Sequence, residues 1–207
     1  MSYSNFSPAA DRNKQPILDA LREVLPERGN ALEIASGTGQ HVAWFAAALP
    51  QWTWQPTDTM PVAMDSISAW VAEQGLRNVR PPLVLDVMAA EWLPGIEQFD
   101  LIYCANMLHI SPWATCAALM QGSARHLAPG GMLVTYGPYL EDGVPTSEGN
   151  LSFDQSLRAQ DPGWGIRRRV DVEQQAARAG LQLQARHAMP ANNLLLVWGR
   201  SQQPSNH

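Results

Sequence analysis

A chain of 207 residues, 45% of them hydrophobic and 16% charged, is long enough for one well-covered core and short for two full domains. Its formal charge of −5 argues against a protein held to nucleic acid or to an anionic membrane by bulk electrostatics, so the expected partners are small molecules or discrete protein patches, in an oligomeric state the sequence leaves open. The two cysteines, Cys104 and Cys116, form no CxxC pair and stand near no histidine at zinc-ligand spacing; they read as reduced, buried thiols of a cytoplasmic protein, and no metal site is expected.

The opening MSYSNFSPAADRNK has no apolar h-region, and no run approaches the roughly 18 apolar residues of a membrane helix, so neither secretion nor membrane spanning is expected. The sequon-like Asn5 and Asn150 are then chance matches. Residues 1–15 read as a polar lead-in, after which Pro16 takes a first helical position and sets Ile17, Leu18, Leu21, Val24 and Leu25 on one face of a helix ending near Pro26. ALEIA is a short buried strand, SGTGQ a turn, and HVAWFAAALP a helix closed by Pro50. WTWQPTD is a second strand; Pro61 starts a helix that runs to Gln74 with Gly75 as its cap. PPLVLDV and FDLIYCANML are the third and fourth strands, Pro112 opens a helix to about Leu127, and APGGMLVTYGPY supplies a turn and a fifth strand. Residues 140–168, rich in Gly, Pro and polar groups, form a lid-like insertion with one helix at LSFDQSLRAQ. A helix capped by Gly180 and two strands, LQLQARHAMP and NLLLVWGR, follow; the short link between those strands permits only an antiparallel pair. Alternating helices and strands predict a single α/β domain over residues 1–200, built on a mostly parallel sheet, with a flexible tail at 201–207.

The glycine turn after the first strand places backbone N–H groups and the positive end of a helix at the carboxyl edge of the sheet, where ligands bind. A phosphate-cradling P-loop requires Gly-Lys-Ser/Thr, and SGTGQH has no lysine. A dinucleotide fingerprint requires a third small residue; counting from Gly37, that place holds Val42, which weakens the pyrophosphate reading and leaves it open. S-adenosylmethionine (SAM) has no phosphate and asks instead for acceptors beside a close backbone approach. Glu33 lies two residues before the turn formed by Ala35, Ser36, Gly37 and Gly39. Asp58, followed by Thr59, ends the second strand, where a carboxylate accepts both ribose hydroxyls; Asp86 ends the third, positioned for the adenine amine with the Val87 backbone against the ring. An acid ending one strand is commonly a helix cap, but acids ending three successive strands beside a glycine turn are hard to obtain from structural need alone.

The order of elements and these acids resemble a class I SAM-dependent methyltransferase. More narrowly, SPAADRNKQPIL, LEIASGTGQH, WQPTD, LDV, NMLHISPW, YGPY, FDQSLRAQDPGWGIR and MPANN together resemble a methyltransferase-like family of unassigned substrate, from about Ser7 to Arg200. The resemblance implies a Rossmann-like, seven-stranded sheet in the order 3-2-1-4-5-7-6, with strand 7 antiparallel and helices on both faces. It departs from the common GxGxG pattern in carrying Ala35 at the first glycine place. It also implies that Arg12 and Asn13, with Lys14, lie close to the methionine end of the cofactor, Arg12 forking onto its carboxylate. Asn106 and Met107 would then face the transferred methyl.

His109, at the end of the fourth strand, is a candidate base or orienting group, with a packing or capping histidine as the alternative. Tyr136 and Tyr139 either line an acceptor pocket or shape a turn, and Tyr139 joins His109 as a catalytic candidate. Many methyl transfers need no protein base, because SAM already carries a strong electrophile. Phe153, Arg158 and Trp164 of the lid are candidate acceptor contacts; Arg167 to Arg169 read as a solvated charge run, and a basic lid suggests an anionic acceptor. Asn192 and Asn193 suit a bend that reaches the site only if it folds over the lid. Trp44, Trp52 and Trp54 have apolar neighbours and read as packing. The chain is therefore expected to be a SAM-dependent methyltransferase acting on a small molecule. A non-catalytic cofactor-binding adaptor and, disfavoured by Val42, an NAD(P)-dependent oxidoreductase are the alternatives.

Overall fold

The computed structural model describes residues 4–93, 95 and 97–201; apart from Ser201, the tail expected at 201–207 lies outside them. Strands β1 (Gly29–Ile34), β2 (Trp52–Asp58), β3 (Leu83–Val84), β4 (Phe99–Ala105) and β5 (Leu127–Leu140) are parallel. Strand β6 (Arg167–Arg168) pairs with the last two residues of β5. Strands β7 (Leu181–Met189) and β8 (Asn193–Arg200) complete a sheet ordered β3-β2-β1-β4-β5-β8-β7, in which β8 runs antiparallel to both its neighbours. With β6 set aside, this is the order 3-2-1-4-5-7-6 implied by the resemblance.

Alternation along the central strands builds two apolar layers. On one face Ala31, Leu101, Tyr103, Val134, Leu195 and Val197 pack against α1 (Pro8–Val24), α2 (Gln40–Ala48) and α3 (Pro61–Glu73). On the other, Leu32, Ile34, Ile102, Leu133 and Trp198 pack against α4 (Ala114–His126) and α6 (Arg169–Arg178). Helix α5 (Glu148–Gln160) occupies the segment between β5 and β6. Among the described residues, no helix is long and apolar enough to cross a membrane.

Two elements differ from the sequence expectation. The first helix begins at Pro8, not Pro16: Ser7 caps it by accepting the Ala10 N–H at 3.3 Å, and Pro8 takes the first-turn place. ADRNK is therefore helical. Pro16 sits inside the helix, where it cannot donate to the carbonyl of Arg12. The third strand shrinks from seven residues to two, because Pro81 and Pro82 offer no N–H and Leu83 and Val84 lie exposed at the sheet edge.

The strand order reverses between β1 and β4, so the crevice beyond their carboxyl ends is the topological switch point at which ligands bind in open α/β sheets.

Candidate functional site

At the end of β1 the chain turns through Ala35 (φ +55°), Gly37 (φ +56°) and Gly39 (φ +85°). Ala35 holds a left-handed conformation that costs an L-residue roughly 1–2 kcal/mol. A methyl is tolerated at this place, so the departure from three glycines does not change the path of the turn. An added Cβ at Gly39 would meet the Ile67 backbone at 2.8 Å, whereas one at Gly37 would meet nothing within 4 Å. Gly39 is required for packing; Gly37 faces open space. Ser36 locks the turn to β2, its N–H donating to Thr57 O (2.8 Å) and its hydroxyl accepting the Thr57 N–H (3.2 Å).

Asp58 is drawn into the same turn. Its Oδ2 accepts the Gly37 N–H at 2.9 Å and its Oδ1 the Met60 N–H at 3.0 Å. Thr59 between them is exposed. Asp58 pairs in register with Val84, and the Leu85 N–H donates to Asp58 O, so Asp86 stands two residues beyond that pair on the same edge. Asp86 is exposed, its Oδ1 accepting the Met88 N–H at 2.9 Å; Val87 is buried and its carbonyl is taken by Trp92 Nε1. Met60 and Met88, exposed by 57% and 55%, flank the two acids, a pair that sequence reasoning missed.

Glu33 lies below the turn on the face covered by α1 to α3, 2% exposed, and its Oε2 has no hydrogen-bond partner among the described residues. Burial pushes its carboxyl up to about 8; Ser36 opposes the shift and the Asp58 charge adds to it. An orphaned buried acceptor of this kind calls for a donor from outside the chain.

The helical ADRNK segment reaches this region. His41, at the start of α2, is pushed down to about 4 chiefly by burial and is therefore neutral. Its Nε2–H donates to Asn13 Oδ1 (2.6 Å) and its Nδ1 accepts the Tyr103 hydroxyl (3.2 Å). With its carbonyl engaged by His41, the Asn13 side chain also hydrogen-bonds the Tyr136 hydroxyl, which ties α1 to the end of β5. The Ser7 N–H donates to Gln40 Oε1, tying the start of α1 to the start of α2. Arg12 has no ion pair or hydrogen bond among the described residues and borders a cavity of about 730 Å³.

That cavity extends from α1 to the ends of β4 and β5 and to the lid, with Asn13, Asn106, His109, Tyr136 and Phe153 on its walls. Asn106 is left-handed (φ +59°), its N–H held by Tyr136 O. Met107 is half-buried against the core on the α4 side and is not on the cavity wall. His109 is 5% exposed and packs edge-on to Phe153; its ring nitrogens take no hydrogen bond from the described residues. Burial, with Arg167 adding to it, pushes His109 down to about 4, leaving a neutral imidazole on the wall. Tyr136 and Tyr139 are three residues apart on one strand and so point to opposite faces. Tyr136 lines the cavity. Tyr139 packs in the other core with its hydroxyl donating to Thr135 Oγ1 at 2.9 Å, so the structure does not bring this catalytic candidate to the crevice.

The lid is fastened at both ends. Asn192 Oδ1 accepts the Ser147 N–H (3.1 Å), and Asn150 Nδ2 donates to Asn192 O (3.0 Å), so the MPANN bend does fold onto the start of α5. At the other end Arg167 is no solvated charge. It donates to the carbonyls of Leu108 (2.9 Å), Ser111 (2.7 Å) and Gly163 (2.7 Å) and lies over Trp113. Arg168 pairs with Asp142, Arg169 with Glu141, and Arg158 with Asp154. Neither Arg158 nor Trp164 lines the cavity, whereas Phe153 does.

A family model described as "Protein of unknown function (DUF938)" matches residues 4–200. The chain belongs to the DUF938 family. Its fold is that of class I SAM-dependent methyltransferases. An O-methyltransferase family protein from Burkholderia thailandensis superposes with a TM-score of 0.79 at 21% identity, covering 94% of this chain and 58% of that one. An O-methyltransferase family 2 protein from Planctomyces limnophilus, in complex with apigenin, gives 0.76 at 17% identity, covering 93% and 60%. Human N-acetylserotonin methyltransferase in complex with SAM gives 0.75 at 16% identity, covering 94% and 53%. This DUF938 chain thus spans between half and three fifths of the length of these neighbours, and at such identities the likeness is one of fold.

Proposed function

We propose that this chain is a SAM-dependent methyltransferase that methylates a hydroxyl group of a small molecule. The carrying observation is Glu33, a buried carboxylate with an orphaned oxygen beneath an open glycine turn that Asp58 hydrogen-bonds from the next strand. That donor set fits SAM, which brings an ammonium for Glu33, two ribose hydroxyls for the remaining acceptor capacity of Asp58, and no phosphate. Asp86 accepts from the adenine amine, and the N–H of Val87, which has no partner among the described residues, faces the ring. Arg12, with Asn13 fixed beside it by His41 and Tyr136, holds the methionine carboxylate. Val42, at the place where a dinucleotide site has its third small residue, is a fully buried core residue of α2, which speaks against a nicotinamide cofactor.

When bound, SAM supplies an electrophilic methyl carbon on its sulfonium. The cavity walls orient the acceptor hydroxyl toward that carbon and exclude water, which accounts for much of the rate in a transfer of this kind. His109, a neutral imidazole on the cavity wall, would receive the proton that the acceptor hydroxyl gives up on methylation. Arg167 positions the base by holding the carbonyls of Leu108 and Ser111 on either side of it. The names of the neighbours support an oxygen acceptor, and the apigenin complex supports a small molecule. Residues 140–168 act as the lid within one domain spanning 1–200.

Calorimetric titration with S-adenosylhomocysteine and with NAD tests the cofactor. Saturable binding of the former alone is expected; binding of NAD alone would overturn the reading. Release of S-adenosylhomocysteine on incubation with SAM and an extract of small metabolites tests turnover. Binding without any turnover would leave a cofactor-binding adaptor in its place.

A further inference from the structure

Resting on the methyl-transfer reading above, we propose that the acceptor is an uncharged, flat, hydroxylated ring compound. The two halves of the crevice differ in charge. Glu33, Asp58 and Asp86 belong to the half reached by the glycine turn, whereas among the described residues no carboxylate lines the cavity between α1, the ends of β4 and β5, and the lid. An ammonium-bearing acceptor would enter this space without a counterion and beside a cationic sulfonium.

The lid offers no free cation for an acid either. Arg158, Arg168 and Arg169 are paired with carboxylates, and Arg167 is engaged by three backbone carbonyls. The anionic acceptor expected from a basic lid therefore loses its support. Arg12, the one cation on the wall among the described residues, lies next to Asn13, whose orientation is set from α2 on the cofactor side.

Shape and polarity agree with charge. Tyr136, Pro138, Phe153 and Pro190 supply flat apolar surface, suited to ring faces. The Asn106 side chain, and the Oδ1 of Asn150 and Asn193, whose NH₂ groups are engaged by Asn192 and Pro190, supply uncharged hydrogen-bonding groups for ring hydroxyls. A volume of about 730 Å³, part of it taken by the methionine end of the cofactor, leaves room for about two fused rings.

The test uses three size-matched probes: 6-methyl-2-naphthol (neutral), 6-hydroxy-2-naphthoate (anionic) and 6-aminomethyl-2-naphthol (cationic). Each is titrated calorimetrically into the full chain saturated with S-adenosylhomocysteine. The neutral probe is expected to bind about tenfold tighter than either charged one, and more than that over the amine. Ile110→Glu, which places a carboxylate at a half-exposed cavity wall, is expected to raise affinity for the amine at least tenfold while lowering that for the naphthoate. Equal or tighter binding of either charged probe to the wild type, or binding of none of the three, would overturn the acceptor class. Failure of S-adenosylhomocysteine itself to bind would overturn the cofactor reading, an outcome visible in the first titration and separate from the acceptor result.

Discussion

The crevice has two halves built on different principles. The half beyond β1, β2 and β3 is assembled from backbone: the glycine turn, the Asp58 carboxylate that accepts the Gly37 and Met60 N–H groups, and Ser36 bridging to Thr57 are local to the ends of three paired strands. The half beyond β4 and β5 is assembled from side chains of distant segments, with α1, the post-β4 loop, α5 and the β7–β8 bend each contributing a wall. The first half carries acids and little shape; the second carries shape and no acid. On the proposed function, the first half holds the group common to a whole family of reactions, and discrimination between acceptors falls to the second.

Changes confined to one half should leave the other intact. His109→Ala is expected to lower kcat about 1000-fold with affinity for S-adenosylhomocysteine unchanged, measured by steady-state kinetics and calorimetry. In the wild type the rate should hold as pH falls from 7 and drop only near about 4, where the imidazole takes a proton in advance. Arg167→Gln removes a positive charge that opposes protonation, so this acid limb should move to higher pH, a shift that a merely structural arginine would not produce.

Asp58→Ala should weaken S-adenosylhomocysteine binding about 100-fold, through loss of charge-assisted hydrogen bonds to the turn and the ribose. Glu33 sharpens the contrast through pH. With its carboxyl raised to about 8, affinity for the cofactor ammonium should rise with pH up to about 8, at most about tenfold per unit, and Glu33→Gln should abolish that slope in titrations at several pH values. The sign for the free protein is opposite. The folded state binds more protons than the unfolded one between about 4.5 and 8, so stability falls across this window as pH rises, and Glu33→Gln should raise Tm at pH 8 and not at pH 5.

The smallest effect concerns the lid. Asn192→Ala removes the acceptor of the Ser147 N–H and one partner of Asn150, and should raise acceptor KM a few-fold and speed amide exchange over the first turns of α5, with cofactor affinity unchanged. Equal weakening of cofactor binding would show that the two halves do not act separately.

Legibility in the sequence follows the same division. The turn, Glu33, Asp58 and Asp86 were visible because each is defined by its distance along the chain from an apolar strand; the alternation of helices and strands gave a mostly parallel sheet, and its strand order came from the family resemblance. The start of α1 was misplaced although Ser7-Pro8 is a helix-entry signal, because Pro16 offers a second one and only packing of the earlier turns on α2 decides between them. Tyr136 and Tyr139 read alike as residues of YGPY, yet their three-residue spacing in a strand already separates them to opposite faces. Arg167 looked like one of three solvated arginines, and nothing local distinguishes the one that reaches Leu108 O and Ser111 O.

What the amino-acid sequence determined by itself is the sheet, the position of the crevice at its switch point and the acids on its cofactor side, since all three depend on spacing between neighbours in the chain. The tertiary structure alone decided that His41 and Tyr103 orient Asn13, that Arg167 holds the carbonyls of Leu108 and Ser111 on either side of His109, and that Asn192 in the β7–β8 bend fastens Asn150 at the start of α5. Those contacts join residues about 28 to 62 positions apart, and such partners are selected by how helices and loops pack on the finished sheet, which no local pattern encodes.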